Sequence, residues 1–140
     1  MTSSLSSGLQ DYIETIFIST EKGEDLKAVD LARKLNISRA SVSEALSRLI
    51  SKNLVQYNAY KNISLTKKGK IEAKKVYAKH HALKDFFQIV LNVTSDEASE
   101  NACKIEHIVS ENILNKMERF TNFFKTHKRI LDLYIEESEK

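Results

Sequence analysis

A mainly α-helical fold carrying a small β wing is predicted by three features of this sequence. It has no proline and only three glycines in 140 residues, a composition that favours helices over sheet-rich folds. Residues 27–53 contain two short amphipathic segments joined by a tight turn. Two stretches of alternating polarity, Leu54-Val55-Gln56-Tyr57 and Ile63-Ser64-Leu65-Thr66, follow directly and have the pattern of a hairpin. With 41% hydrophobic residues the chain can bury a real core.

The elements follow in order. From Ser6 or Ser7 as N-cap, Leu9, Tyr12, Ile13, Ile16 and Phe17 recur at helical spacing, and this first helix runs out before Lys22-Gly23-Glu24. Residues 27–35 form a short second helix, Asn36-Ile37-Ser38 a turn, and a third helix capped by Ser38 carries Ala40, Val42, Ala45, Leu46, Leu49 and Ile50 to Lys52-Asn53. The pair is a helix-turn-helix pattern. Its second member exposes Ser38, Arg39, Ser41, Ser43, Glu44, Ser47 and Arg48. Hydroxyls and arginines near a helix N-terminus suit phosphate contacts and guanine edges in a major groove. The hairpin then serves as a wing, with Tyr60 and Lys61 in its loop placed to rest against a phosphate backbone. Lys27 and Ala40 complete the residues assigned to the DNA face.

Thr66 caps a long helix with Ile71, Val76, Leu83, Phe86, Phe87 and Val90 on its apolar side, and with His80 and His81 midway along it. Ser95 is expected to cap the next helix, whose first turn holds Asp96 and Glu97 and which continues to about Met117. The last segment offers Phe120, Phe123, Phe124, Ile130, Leu131, Leu133 and Tyr134. That is more apolar surface than a monomer of this size needs, which points to a homodimer.

Charge divides the chain. Residues 1–80 hold 14 Lys and Arg against 8 Asp and Glu, a net of +6, whereas residues 81–140 hold 8 against 11, a net of −3. The first part is therefore the one suited to a polyanion. The sequence has no apolar run near eighteen residues, and its Ser-rich start lacks the regions of a secretion signal. A cytoplasmic protein with no membrane partner is the expectation. The single cysteine cannot form an intramolecular disulfide, so Cys103 is a thiol open to packing, metal or redox chemistry.

Cys103, Glu106 and His107 stand at i, i+3 and i+4, which in a helix places three strong ligand types on one face beside Ile105, Ile108 and Val109. They can converge on one ion, although a half-buried cysteine among surface charges gives the same pattern. Asp11 and Glu14 sit three apart in the first helix, where surface acids are the ordinary reading until a cation is shown to need them.

Taken together, the chain resembles the diphtheria toxin repressor and manganese transport regulator family over about residues 7–120. The matching signatures are Asp11-Tyr-Ile-Glu14-Thr-Ile, Leu31-Ala to Ser41-Val-Ser, Leu65-Thr-Lys-Lys-Gly69, Lys79-His80 with Phe86-Phe87, and Ala102-Cys103-Lys104-Ile105-Glu106-His107-Ile108-Val109-Ser110. The resemblance implies a winged helix-turn-helix DNA-binding domain over 1–72, followed by a helical metal-binding and dimerisation domain over 73–140. It implies a metal site made of Asp11, Glu14, His80, Cys103, Glu106 and His107, with His81 the alternative to His80. The donor set is a hybrid: Cys103 matches the iron branch, while Asp11 and Glu14 match the manganese branch. Lys84 and Ser99 replace the acid and histidine of the iron branch's ancillary site, and the chain ends before a third, SH3-like domain.

Thiolate softness favours iron(II) or zinc(II) and carboxylates favour manganese(II) or iron(II), so iron(II) or manganese(II) is expected, with zinc(II) and cobalt(II) as substitutes in vitro. The expected function is that of a metal-dependent repressor of metal-homeostasis genes, binding an operator in double-stranded DNA as a homodimer whose geometry the metal fixes. It is not expected to be an enzyme or to take a small organic substrate. Two alternatives remain from the residues. One is a winged-helix regulator sensing a thiol oxidant or an organic ligand, and the other a metalloenzyme, for which no substrate residues are evident.

Overall fold

The computed structural model describes residues 5–57 and 62–140, which form two compact units, Met1–Tyr77 and Ala78–Lys140. The first unit begins with helix α1, Ser7–Glu21, whose N-cap Ser6 accepts a hydrogen bond from the Leu9 N–H at 3.3 Å. Its apolar stripe is the one the periodicity predicts, with Ile13 and Ile16 wholly buried and Leu9, Tyr12 and Phe17 nearly so. Helix α2, Ala28–Leu35, starts where the Lys27 N–H donates to the Asp30 carboxylate at 2.9 Å. It ends at Asn36, whose φ of 53° is the left-handed conformation that turns the chain sharply into α3, Arg39–Ser51.

Ser38 caps α3 by accepting from the Ser41 N–H at 3.1 Å. Val42, Ala45, Leu46 and Leu49 bury one face of α3 against the common core, leaving the serine and arginine face exposed. Ile50 departs from the expected stripe and is 42% exposed. It falls beside the buried Leu49 and off the apolar face, which α3 completes without it.

Strands β1, Val55–Gln56, and β2, Ser64–Leu65, pair antiparallel with Val55 opposite Leu65. The hairpin is shorter than its alternating sequence suggested, and Tyr60 and Lys61 of its loop lie outside the described residues. Inward-facing Val55, Ile63 and Leu65 join the core, and the Ile63 N–H donates to the Leu26 carbonyl at 2.8 Å.

Thr66 ties the wing to helix α4, Lys67–Asp85. Its hydroxyl donates to the Asn53 carbonyl at 2.7 Å and accepts from the Gly69 N–H at 3.0 Å. Gly69 is where α4 touches backbone: a Cβ added there would collide with the Leu54 carbonyl oxygen. Ile71, expected on the apolar face, is 51% exposed, and Ala73 and Val76 carry the burial in its place.

In the second unit the helix ends in a π-helical turn, Phe86–Val90, and Asn92 adopts a φ of 57°. Helix α5, Ser95–Ile105, is capped one residue earlier than predicted: Thr94 accepts from the Glu97 N–H at 3.2 Å, and Ser95 is the first helical residue. Nor does α5 reach Met117. It stops at Ile105, a turn follows, and helix α6, Glu111–Thr126, starts afresh with Ser110 accepting from the Ile113 N–H at 3.3 Å. An N-capping serine offers the backbone an alternative to continued helix, which a count of apolar spacing overlooks.

Leu83, Ala102 and Leu114 form the core of this unit, with Phe87, Ile105, Val109 and Met117 packed against them. Helix α7, Lys128–Ser138, joins through an aromatic chain in which Phe120 meets Phe124 at 4.8 Å and Phe124 meets Tyr134 at 6.4 Å between ring centroids. Ile113, Phe120, Phe123, Ile130, Leu133 and Tyr134 all remain exposed. No described helix is long and apolar enough to cross a membrane.

Gly69→Ala is expected to destabilise the first unit by about 2 kcal/mol, because the obstructing atom is backbone and cannot rotate away. A thermal melt of the metal-free protein reads this directly, and an unchanged midpoint would mean that α4 can shift off Leu54.

Candidate functional site

The second unit brings a nitrogen, a sulfur and an oxygen donor together. His80 projects from α4, Cys103 from the last turn of α5, and Glu106 from the residue that closes α5. One ligand atom from each lies within 4.8 Å of the other two. His80 Nδ1 is 2.8 Å from Glu106 Oε2 and 3.6 Å from Cys103 Sγ, and the other ring nitrogen, Nε2, is 3.5 Å from the Ser99 hydroxyl. Glu106 is 1% exposed, and its second oxygen, Oε1, is 3.3 Å from His107 Nε2.

The burial of Glu106 is the informative observation, since a carboxylate removed from water demands cationic or hydrogen-bonding compensation. A half-buried imidazole on either side supplies it. Cys103, by contrast, lies at the exposed edge. An imidazole, a thiol and a carboxylate within this reach are a donor set for a divalent transition ion, so the residues fit the group that the sequence implied.

The break in α5 shapes this arrangement. Glu106 keeps helical torsions of φ −57° and ψ −29°, so it continues the face of Cys103 beyond the last α5 residue. His107 already belongs to the turn before α6. Of the adjacent histidines, His80 is the one whose ring nitrogen meets Cys103 and Glu106. The His81 ring stands edge-on to it at 5.8 Å, its pKa held below the usual histidine range by burial and by the neighbouring His80 charge. In the first unit, Asp11 and Glu14 stand one turn apart on α1, the former exposed and the latter half-buried.

Most of the residues that the sequence suggested for a DNA face share the exposed side of α3. Ser38, Arg39, Ala40, Ser41, Ser43, Glu44 and Arg48 are all exposed, as is Lys27 at the start of α2. Two contacts there went beyond the reading of the sequence. The Ser38 and Ser41 hydroxyls are hydrogen-bonded to each other at 2.9 Å, and the Arg48 guanidinium donates to the Glu44 carboxylate at 2.8 Å. Spacing of four residues was the available signal for the ion pair. Burial, with the Glu44 charge adding to it, pushes the Tyr12 hydroxyl above its ordinary pKa. The Ser99–His80 contact was missed as well, although Ser99 and Cys103, four apart on α5, share a face.

Comparison with known proteins gives a consistent answer. Residues 4–63 match the family model described as the iron dependent repressor N-terminal DNA binding domain, and residues 66–132 match that of the iron dependent repressor metal binding and dimerisation domain. An HTH-type transcriptional regulator of Methanocaldococcus jannaschii is 37% identical over 122 residues, covering 86% of this chain and 98% of its own. The transcriptional regulator MntR of Oceanobacillus iheyensis is 27% identical over 135 residues, covering 94% of this chain and 91% of its own. Among solved structures, the manganese regulator SloR superposes with a TM-score of 0.72 at 33% identity over 82% of this chain. A manganese-dependent transcriptional repressor in complex with manganese gives a TM-score of 0.76 at 25% identity over the same share. This chain spans about half the length of those two, 54% and 53% respectively.

Cobalt(II), used as a spectroscopic probe, should give a sulfur-to-metal charge-transfer band that Cys103→Ser abolishes. Cys103→Glu should retain an anionic donor while shifting relative affinity from zinc(II) toward manganese(II). If wild type takes up cobalt without such a band, Cys103 is a packing residue and the donors are nitrogen and oxygen alone.

Proposed function

The chain belongs to the iron-dependent repressor family of metal-dependent transcriptional regulators, and from that premise we propose that it represses metal-homeostasis genes in the cytoplasm when iron(II) or manganese(II) is bound. The observation that carries the reading is the convergence of His80, Cys103 and Glu106 on one point. His107, adjacent to Glu106, and Asp11 and Glu14 on α1 are proposed as the further donors, the last two on the strength of the resemblance. Bound there, a divalent ion supplies positive charge that lets several anionic donors share one small volume.

The protein's own residues do the rest. Glu106, shielded from water, offers a hard oxygen donor to the site, and His80 and Cys103 add a borderline and a soft donor that set its selectivity. As the resemblance implies, an ion held by donors from more than one helix would restrict how those helices are arranged. A homodimer so restricted presents its two α3 helices at one spacing, and only a spacing matching successive major grooves binds an operator tightly. The exposed apolar side chains of α6 and α7 are the surface proposed for dimerisation. On α3, Arg39 is proposed to read a base edge, and Arg48, beyond its ion pair with Glu44, to meet flanking phosphate. Lys27, Tyr60 and Lys61 are assigned to the backbone as well.

Fluorescence anisotropy tests this with two labelled duplexes, one selected from a random pool by the metal-loaded protein and one from the unselected pool. Manganese(II) or iron(II) should strongly tighten binding of the selected duplex. Glu106→Ala should abolish that gain while leaving weak, salt-sensitive binding to both. A response to hydrogen peroxide in place of the metal response would move the protein to the class of thiol-oxidation sensors. Arg39→Ala should cost roughly 1–3 kcal/mol on the selected duplex and flatten sequence preference, and equal losses on both duplexes would reassign Arg39 to the phosphate backbone.

A further inference from the structure

One hydroxyl at the rim of the donor cluster has no part in the reading above. Ser99 is half-buried on α5, one turn before Cys103, and its Oγ lies 3.5 Å from His80 Nε2. The opposite nitrogen of the same ring, Nδ1, faces Glu106 Oε2 at 2.8 Å and Cys103 Sγ at 3.6 Å. A neutral imidazole carries one N–H, so whichever nitrogen gives its lone pair to an ion leaves the hydrogen on the other. The ring is therefore held from both sides, and the two sides are chemically unequal. Cys103 and Glu106 can share an ion with Nδ1, whereas a hydroxyl is a poor ligand and a good acceptor for an Nε2–H.

We propose that Ser99 is a positioning residue of the metal centre, its hydroxyl accepting the Nε2–H of His80 so that Nδ1 is the donor atom presented to the ion. The proposal rests on the reading of His80, Cys103 and Glu106 as a metal site. Ser99 touches no ion itself; it acts by fixing the ring plane and the tautomer of a residue that does, and such partners commonly alter metal affinity by tenfold or more. Serine is suited to the place for a second reason. A hydroxyl both donates and accepts, so it remains a partner for Nε2 when His80 carries its hydrogen on Nδ1, facing the Glu106 carboxylate. Ser99 and Cys103 also share one face of α5, so the helix that supplies the thiol supplies the orienting hydroxyl in the same rigid frame.

The test combines affinity with a spectroscopic signature. Full-length wild type, Ser99→Ala and Ser99→Thr are titrated with cobalt(II), and the zinc-loaded proteins are examined by long-range ¹H–¹⁵N correlation of the imidazole nitrogens. The expected result is about tenfold weaker cobalt(II) binding in Ser99→Ala, recovery in Ser99→Thr, and in wild type a His80 ring protonated at Nε2 with Nδ1 as the ligating nitrogen. Equal melting midpoints of the three metal-free proteins separate this from a loss of fold. Unchanged affinity in Ser99→Ala, or a wild-type His80 ligating through Nε2, overturns the role of Ser99 while leaving the metal site standing. Failure of wild type to bind cobalt(II) at all overturns the metal site and the proposal with it.

Discussion

Glu106 is the constraint around which the second unit is arranged. A carboxylate almost wholly removed from water is unfavourable by several kcal/mol unless its charge is matched, and no buried side-chain polar atom among the described residues lacks a partner. The match comes from His80 on one oxygen and His107 on the other. Helix α4 carries His80 to one oxygen, and Glu106, in helical torsions just past the end of α5, is followed in the turn by His107 on the other. Apolar packing of Leu83, Ala102 and Leu114 then holds α4, α5 and α6 at the distances this requires. The polar centre and the small hydrophobic core draw on the same two helices, with His80 and Leu83 on α4 and Ala102 and Cys103 on α5.

The chemistry of the donors follows from their unequal exposure. Glu106 is buried, His80 is half-buried and Cys103 lies at the open edge. The hard oxygen donor is therefore the one the fold encloses, and the soft sulfur donor is the one left closest to solvent. A donor set that mixes hard oxygen with soft sulfur suits a divalent ion of borderline character better than ions at either extreme.

Much of the first unit was legible because its sequence obeys simple periodicities. Ser6 and Ser38 cap the helices the spacing predicted, and Leu9, Ile13, Ile16, Val42, Leu46 and Leu49 fill the expected core. Residue types at i, i+3 and i+4 also sufficed to single out Cys103, Glu106 and His107, even though only Cys103 lies within the helix proper. What escaped the sequence was local competition. Thr94 takes the cap from Ser95, and Ser110 ends a helix that apolar spacing alone would have prolonged to Met117. Ile50 and Ile71 look like core residues by type, but the faces they occupy are already closed by their neighbours. The Ser99 contact with His80 depends on where α5 lies against α4, which no spacing within either helix encodes.

The Glu44–Arg48 ion pair has a consequence for how this face responds to salt. An exposed pair four residues apart stabilises a helix by only about 0.3–0.5 kcal/mol, yet it neutralises one of the two arginines on α3 before any polyanion arrives. A phosphate that recruits Arg48 must displace a carboxylate already in place, and that carboxylate then stands close to the phosphate's own negative charge. With Arg48 in the phosphate role proposed above, fewer counterions would be released on association than the basic residues on the helix suggest, and affinity would fall less steeply as ionic strength rises. An exposed helix face that carries its own counter-charge is less basic toward a polyanion than its arginine count suggests.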